Sequence, residues 1–554
     1  MGHIILQNNL KIPLEYFYEW ENDKPNDTFL VQPINRKYHY FTWKKVGDQA
    51  RRISNYINSL NLKPNSQIAI ISKNCAHWII TDLAIMMSGH TSVPLYANVN
   101  GKTAKYILEH SESKVVFIGK LEKYDWEEIK NNIPKNIVQV DFGYYGLDTK
   151  IQKWEDIITN TKPIKDSPLR NLNKIITIIY TSGTTGIPKG VVLKYAAAAL
   201  ATKNLNYLFP LKETDRFFSY LPLSHIAERA LVEHGGIMSG GKIFFAETLD
   251  SFVENLKFCE PTIFFGVPRI YAKFKSKLLS KFPQSLINTI LMIPFLNTVF
   301  KNLIKKGLGL NKSRICITGA ASTPITTLEW FDRFNIKIYE AYGMSENSAC
   351  SHGNYPKNIK FGTVGKAMPN TEVIITNMGE IIMKNGCIME GYFKDEEKTN
   401  KVLKNGFLHT GDKGTIDKDG FLKITGRIKD IFKTSKGKYV SPNLIEMKLS
   451  KNKNIEQICV VGENLTQPLA LIILSEGIAL NEEIKNKFKN LLERINLELE
   501  KHEKIDKIII LKDNWTIENE ILTPTMKIKR NVVEKKYKEN YNKWIKDENE
   551  IIFQ

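Results

Sequence analysis

Cysteine is scarce: the six in 554 residues, Cys75, Cys259, Cys316, Cys350, Cys387 and Cys459, stand singly, with no C-x-x-C pair and no close Cys/His cluster. That spacing argues against a disulfide framework and a structural zinc site, and it fits a reducing, intracellular compartment. Long apolar runs are missing too. The longest, Leu286 to Phe300, is interrupted by Asn288, Pro294 and Asn297 and is too short for a helix crossing ~30 Å of hydrocarbon. The opening Met-Gly-His-Ile-Ile-Leu-Gln lacks the basic flank, apolar stretch and small-residue cleavage site of a secretory signal, so export is not expected. No internal repeat is visible, which removes solenoids and arrays.

What is present is the composition of a large globular protein, 42% hydrophobic and 25% charged with 33 glycines and 21 prolines, long enough for several folding units. Lysine and arginine number 78 against 59 aspartates and glutamates, a net charge of +19 that favours polyanionic ligands or an anionic membrane surface. The basic residues are spread along the chain, and no zinc finger, RNP-type aromatic motif or basic-region heptad accompanies them. Nucleic acid is therefore not the expected partner.

Between Gln67 and Ile118 the order is apolar run, helical stretch (Ala76 to Ser88), apolar run, helical stretch, apolar run, a βαβ pattern. It returns in Lys242-Ile-Phe-Phe-Ala, Thr262-Ile-Phe-Phe-Gly-Val, Arg314-Ile-Cys-Ile-Thr-Gly and Lys337-Ile-Tyr-Glu, so two α/β layers are predicted. Gly319-Ala-Ala follows the Arg314 run, where a ligand can approach backbone at a strand's carboxyl end. Past Gly420 the elements become shorter and more charged, and a small α+β domain is expected there, with the Lys-rich tail after Lys535 as a solvated helix.

The apolar run Lys174 to Tyr180 leads directly into Thr181-Ser-Gly-Thr-Thr-Gly-Ile-Pro-Lys-Gly190, and Val191-Val-Leu193 follows. Glycines, hydroxyls, backbone N–H groups and one ammonium in a loop joining two strands suit phosphate oxygens. The segment is not a Walker loop, since Pro188 stands where that motif has glycine and Gly190 where it has serine or threonine. The bland alternative is a polar hairpin loop.

Tyr180-Thr-Ser-Gly-Thr-Thr-Gly-Ile-Pro-Lys-Gly190 resembles the signature of the adenylate-forming superfamily of acyl-CoA synthetases, peptide-synthetase adenylation domains and luciferases. Tyr342-Gly-Met-Ser-Glu346, Thr410-Gly-Asp412, Gly426-Arg-Ile-Lys-Asp430 and Thr525-Met-Lys527-Ile-Lys-Arg530 resemble its further motifs, in family order, and the resemblance runs from about Leu14 to Tyr537. It implies an α/β fold: a large N-terminal domain of α/β layers plus a β subdomain, residues 1–426, binding ATP and the acyl substrate, and a small mobile α+β domain, residues 427–554.

The same resemblance implies site roles. Thr181, Ser182, Gly183, Thr184, Thr185, Gly186 and Lys189 would hold the phosphates, with Mg²⁺ at Thr181 and Glu346, a hard ion suited to carboxylate oxygen. Gly319, Ala320 and Ala321 would line the adenine edge, Tyr342 would offer a stacking face beside Gly343 and Ser345, and Asp412 would accept the ribose diol with Arg427 behind it. Lys429 holds the hinge position and Lys433 a nucleotide contact. The expected catalytic residues are Lys527, His225 and Glu346. Lys527 bridges carboxylate and α-phosphate as charge develops, with Lys529 its competitor. Glu346 could instead be a surface acid, and His225 a core histidine.

Ile431-Phe-Lys-Thr-Ser-Lys-Gly-Lys-Tyr-Val-Ser-Pro442, Leu522-Thr-Pro-Thr-Met-Lys and Leu221-Pro-Leu-Ser-His-Ile-Ala-Glu-Arg229 look like the long-chain fatty acid–CoA ligase group. The expected substrates are ATP, a long-chain fatty acid and coenzyme A, and the expected location is the cytoplasm, with peripheral contact on the inner face of a membrane in view. One departure is Glu228-Arg229, where some relatives carry an aromatic gate. Rival readings are a fatty acyl-AMP ligase serving a carrier protein, a ligase for another carboxylic acid, and an inactive lipid- or nucleotide-binding regulator. Oligomeric state and chain-length preference stay open. Residues 282–306, apolar and flanked by Lys281, Lys301, Lys305 and Lys306, form either a buried helix pair beside an acyl tunnel or an interfacial element among anionic headgroups.

Overall fold

The structure, a computed structural model, describes residues 10–147, 149–181, 187–452, 454–475, 477–516, 519–523 and 527–554. The expected βαβ units form two sheets. In the first, Gln67–Ile71 pairs in parallel with Thr91–Leu95 and Val115–Ile118, while Ile175–Thr181 and Lys189–Lys194 form an antiparallel hairpin on one side. In the second, Arg216–Ser219, Lys242–Phe245, Ile263–Phe265, Ile315–Thr318 and Ile338–Tyr342 run parallel. Helix Ala76–Ser88 is buried from Ala76 through Met87, and it contacts both Gln67–Ile71 and Thr28–Ile34, strands of the two different sheets. A helix buried around its whole circumference, with its one charged side chain, Asp82, paired to Arg229, belongs between layers, because no face is given to water.

Strands Glu372–Ile375, Glu380–Lys384, Phe407–Ile416 and Leu422–Arg427 form an antiparallel sheet, whose small core joins Ile381 and Leu422 to Tyr342 of the second α/β layer. This β unit therefore seats Asp412 and Arg427 beside the carboxyl end of Ile338–Tyr342. The C-terminal unit is a sheet of Ile455–Val461, Leu469–Leu474, Lys507–Ile510 and Ile551–Phe553. Helices Pro442–Leu449 and Glu482–Leu497 cover one face, and Arg530–Tyr537 with Tyr541–Lys546 covers the other.

Two expectations change. The tail after Lys535 is not a solvated helix: Tyr537, Tyr541 and Trp544 are buried, and the chain then adds Ile551–Phe553 as a parallel strand beside Lys507–Ile510. The i, i+4, i+7 spacing of those aromatics is an amphipathic signal hidden among lysines. Residues 282–306 fold as a hairpin of helices Gln284–Met292 and Pro294–Leu308 that buries only Ile287, Phe300, Ile304 and Leu308 within its two helices; most of its apolar side chains are not core.

Candidate active site

The carboxyl ends of Ile315–Thr318 and Ile338–Tyr342, the β unit and the C-terminal unit enclose a cleft of about 2080 Å³. Thr181, Lys189, His225, Gly319, Ala320, Ala321, Tyr342, Gly343, Ser345, Glu346, Asp412, Arg427, Lys429 and Lys527 all line it. Ala320 takes φ 67°, a left-handed turn that carries the backbone across the cleft floor just after the strand ends. Gly343 has no room for a side chain, since a Cβ there would stand 2.4 Å from the Ala349 backbone.

Asp412 is the best-defined anion in the cleft. Its Oδ2 accepts the Tyr342 hydroxyl proton at 2.7 Å, and its Oδ1 accepts from Arg427 Nε at 3.0 Å. The strand register makes the second contact, because Asp412 and Arg427 are cross-strand partners. The Asp412 charge holds the Arg427 guanidinium above its ordinary pKa. Burial and the same carboxylate hold the Tyr342 phenol well above its own.

Glu346 sits on the short turn Ser345–Asn347, and its Oε1 accepts the Tyr392 hydroxyl proton at 2.9 Å. Tyr392 is placed by pairing with Val191 on the strand after the glycine-threonine loop, and Lys189 Nζ lies 4.8 Å above its ring. Desolvation and the neighbouring Lys429 ammonium lower the Lys189 pKa, while Glu346 opposes them. The Glu346 carboxylate is an oxygen ligand of the kind a magnesium ion takes when phosphate and water complete its shell, and the nearby ammonium groups would need that phosphate between them and the metal. Among the described residues no group of three or more His, Cys, Asp or Glu forms an all-protein cage.

Lys527 closes the cleft from the C-terminal unit. It stands beside an antiparallel bridge between Leu522 and Ile528, where Thr523 N–H donates to the Lys527 carbonyl at 2.8 Å and Lys529 N–H to the Ile521 carbonyl at 2.8 Å. Three residues on, Arg530 is pinned to Glu446 at 2.8 Å and to the Val460 carbonyl. The Lys527 side chain reaches solvent within the cleft but has protein on both sides. That partial desolvation, with the Arg427 guanidinium, pulls its pKa down to about 8 against the opposing charges of Asp412 and Glu346.

His225 Nδ1 accepts the Ala227 N–H at 3.2 Å, so any ring proton is on Nε2. Desolvation and the nearby Lys527 charge drop its pKa to about 3. At neutral pH it is a hydrogen-bond donor, and it holds no spare proton. Helix Tyr195–Leu208 and the π-helical turn Arg229–His234 add Ala201, Leu205, Leu208, Ala230 and Leu231 to the cleft lining. The lining is thus cationic and polar in part, and in part apolar.

The AMP-binding enzyme family matches residues 17–393, and the AMP-binding enzyme C-terminal domain matches residues 429–548. The chain belongs to the AMP-binding enzyme family. The long-chain-fatty-acid–CoA ligase ACSBG2 of Gallus gallus is 28% identical over 94% of this chain and 79% of its own length. Long chain acyl-CoA synthetase 2 of Arabidopsis thaliana is 27% identical over 97% of this chain and 92% of its own. The fold is shared with the A-PCP didomain of the Segniliparus rugosus carboxylic acid reductase in complex with AMP, at a TM-score of 0.80 and 21% identity, over 98% of this chain and 83% of that one.

The family's motif residues do not all meet. Ser182, Gly183, Thr184, Thr185 and Gly186 lie outside the described residues, as does Thr525. Lys433 is not in the cleft lining; it stands on the hairpin strand Phe432–Lys433 with its Nζ 5.8 Å from the Tyr439 ring. Lys529 does line the cleft and caps helix Arg530–Tyr537, but Lys527 is the one coupled to Asp412, Glu346 and His225. Glu228 and Arg229 are fully buried. Glu228 accepts from Tyr220 N–H at 3.0 Å, and Arg229 bonds Asp82 at 2.5 Å and Thr177 at 2.7 Å. Tyr392 and Arg530 were not singled out from sequence. Tyr392 acts across a strand pair, so no local pattern marks it, whereas Arg530 lies inside a quoted motif.

Proposed function

We propose that the protein is an ATP- and Mg²⁺-dependent long-chain fatty acid–CoA ligase. A carboxylate oxygen of the fatty acid attacks the α-phosphorus of ATP, the bond to pyrophosphate breaks, and acyl-adenylate forms. The CoA sulfur then attacks the acyl carbonyl, gives up its proton, and AMP leaves. The observation that carries this reading is the meeting of Lys189, Glu346, Asp412, His225 and Lys527 in one cleft whose lining also includes the apolar side chains Ala201, Leu205, Leu208, Ala230 and Leu231.

In this reading Lys189 faces the outer phosphates, and Glu346, with Thr181, holds the magnesium ion, which supplies charge neutralisation of the leaving pyrophosphate. Asp412, fixed by Tyr342 and Arg427, accepts from the ribose hydroxyls. Gly319, Ala320 and Ala321 bring backbone to the adenine. His225 Nε2–H donates to the substrate carboxylate, and Lys527 spans carboxylate and α-phosphate. The boundary at 426/427 makes residues 427–554 one moving body turning about Lys429, which withdraws Lys527 before the thiol step.

The test supplies ATP, magnesium and acids from short to very long chain, aromatic acids included, with and without CoA. Expected are AMP, pyrophosphate and acyl-CoA, with long chains preferred. Cleavage to ADP overturns adenylation. Pyrophosphate release without acyl-CoA makes the enzyme an acyl-AMP ligase, and preference for short or aromatic acids removes the long-chain assignment.

A further inference from the structure

The hairpin of helices Gln284–Met292 and Pro294–Leu308 is apolar on two sides. The inner side is occupied: Ile287, Phe300, Ile304 and Leu308 pack in one cluster with Phe264, Tyr271, Trp330 and Phe334. The outer side is open. Residues 292–296, Met-Ile-Pro-Phe-Leu, are all exposed at the turn, Met292 by 80% and Phe295 by 79%. Val299 and Leu303, also exposed, continue from Phe295 at the i, i+4 interval that puts them on one helix face. A contiguous apolar patch of this kind on a soluble surface marks a docking site.

Charge identifies the occupant. Between Glu260 and Glu329 the chain contains eight lysines and two arginines and not one aspartate or glutamate. Ten of the nineteen net positive charges thus belong to the segment that carries the hairpin. Lys281, Lys301 and Lys306 flank the apolar tip in sequence, with Lys281 and Lys306 exposed. Arg269 and Arg314 of this segment are paired with Glu456 and Asp215, so among the described residues it is the lysines that stay free: a second copy meeting this face symmetrically would set lysines against lysines, and a nucleic acid would neutralise them while leaving Met292 and Phe295 in water. An anionic bilayer satisfies both features, since headgroups meet the ammonium groups and the apolar tip enters the acyl boundary.

We propose that residues 284–308 dock the protein on an anionic lipid bilayer, with Met292–Leu296 as the inserted tip. Helix Pro268–Lys281 leads from the active-site cleft to the start of the hairpin at Gln284: Val267, Pro268, Arg269 and Ala272 line the cleft, and its 14 residues span about 21 Å at the α-helical rise. The proposal goes beyond the ligase reading and does not depend on it, because docking requires neither nucleotide nor acid.

The test is cosedimentation of the full chain, without substrates, with vesicles of phosphatidylcholine alone or mixed equally with phosphatidylglycerol. Binding to the mixed vesicles is expected to be at least ~10-fold tighter and to weaken with salt. The double substitution Met292→Ser with Phe295→Ser is expected to reduce it at least ~10-fold with an unchanged melting temperature. Lys301→Ala with Lys306→Ala is expected to remove the preference for anionic lipid. Absence of wild-type binding to anionic vesicles overturns the proposal. So does equal binding by the serine variant, the result of a merely basic surface that duplex DNA would then also occupy. A wild-type dimer that Met292→Ser dissociates, without vesicle binding, assigns the face to a second copy and overturns it equally.

Discussion

The site depends on a few charges whose positions are set by neighbours with no part in the chemistry. Lys527 is the clearest case: the Leu522–Ile528 bridge and the Arg530 anchor aim it at Asp412 and Glu346. Lys527→Ala should slow acyl-adenylate formation by roughly 10²–10³-fold while supplied acyl-adenylate is still converted to thioester. Equal loss of both half-reactions in a folded variant would remove Lys527 from the first step. A pH profile gives a second handle. With a pKa near 8, the ammonium is present below that pH and lost above it, so kcat/KM for pyrophosphate exchange should fall on the alkaline side near pH 8. Lys527→Arg, if active, should move that limb upward, because guanidinium does not deprotonate in this range. A limb that stays put would belong to another group.

At the scale of elements, the π-helical turn Arg229–His234 gives Ala230 and Leu231 to the cleft lining and also carries a buried ionic cluster. Arg229 bonds Asp82 at 2.5 Å and lies 3.3 Å from Glu233, all without solvent exposure, while burial raises the Glu233 pKa well above the carboxylate range. Removing the cation leaves the Asp82 and Glu233 carboxyl groups buried against each other without a counter-charge. Arg229→Met should cost roughly 3–5 kcal/mol of stability, read as a shift in denaturant midpoint. A loss below about 1 kcal/mol would show that the Arg229 charge contributes little to holding this cluster together.

At the scale of the whole molecule, the small C-terminal unit meets the large one through polar contacts that include the Arg269–Glu456 ion pair and Asn100 to Glu520 at 3.1 Å. In the proposed mechanism this interface would have to release so that the domain turns between the two half-reactions. All six native cysteines are buried, so paired thiols introduced by Arg269→Cys and Glu456→Cys would be the accessible ones. Joining them with a short bismaleimide should preserve adenylation and reduce thioester formation at least ~10-fold. Unimpaired acyl-CoA formation by the cross-linked enzyme would show that no such rotation is needed.

Order along the chain determined much of this protein. Alternating apolar runs and helical stretches specify the parallel strands of the two large sheets, because hydrophobic period and length are local properties. The motifs name Lys189, Glu346, Asp412 and Lys527, because phosphate and carboxylate chemistry restricts residue type. Other features needed three dimensions. Tyr392 reaches Glu346 only through pairing with the strand Lys189–Lys194. Lys433, inside a recognisable motif, is carried away from the cleft by its hairpin, and Tyr537, Tyr541 and Trp544 make the lysine-rich tail part of the core. The hairpin at 284–308 states the division most plainly: its sequence is equally apolar on both sides, and only packing decides which side meets core and which meets water, since burial belongs to the assembled surface rather than to the residue.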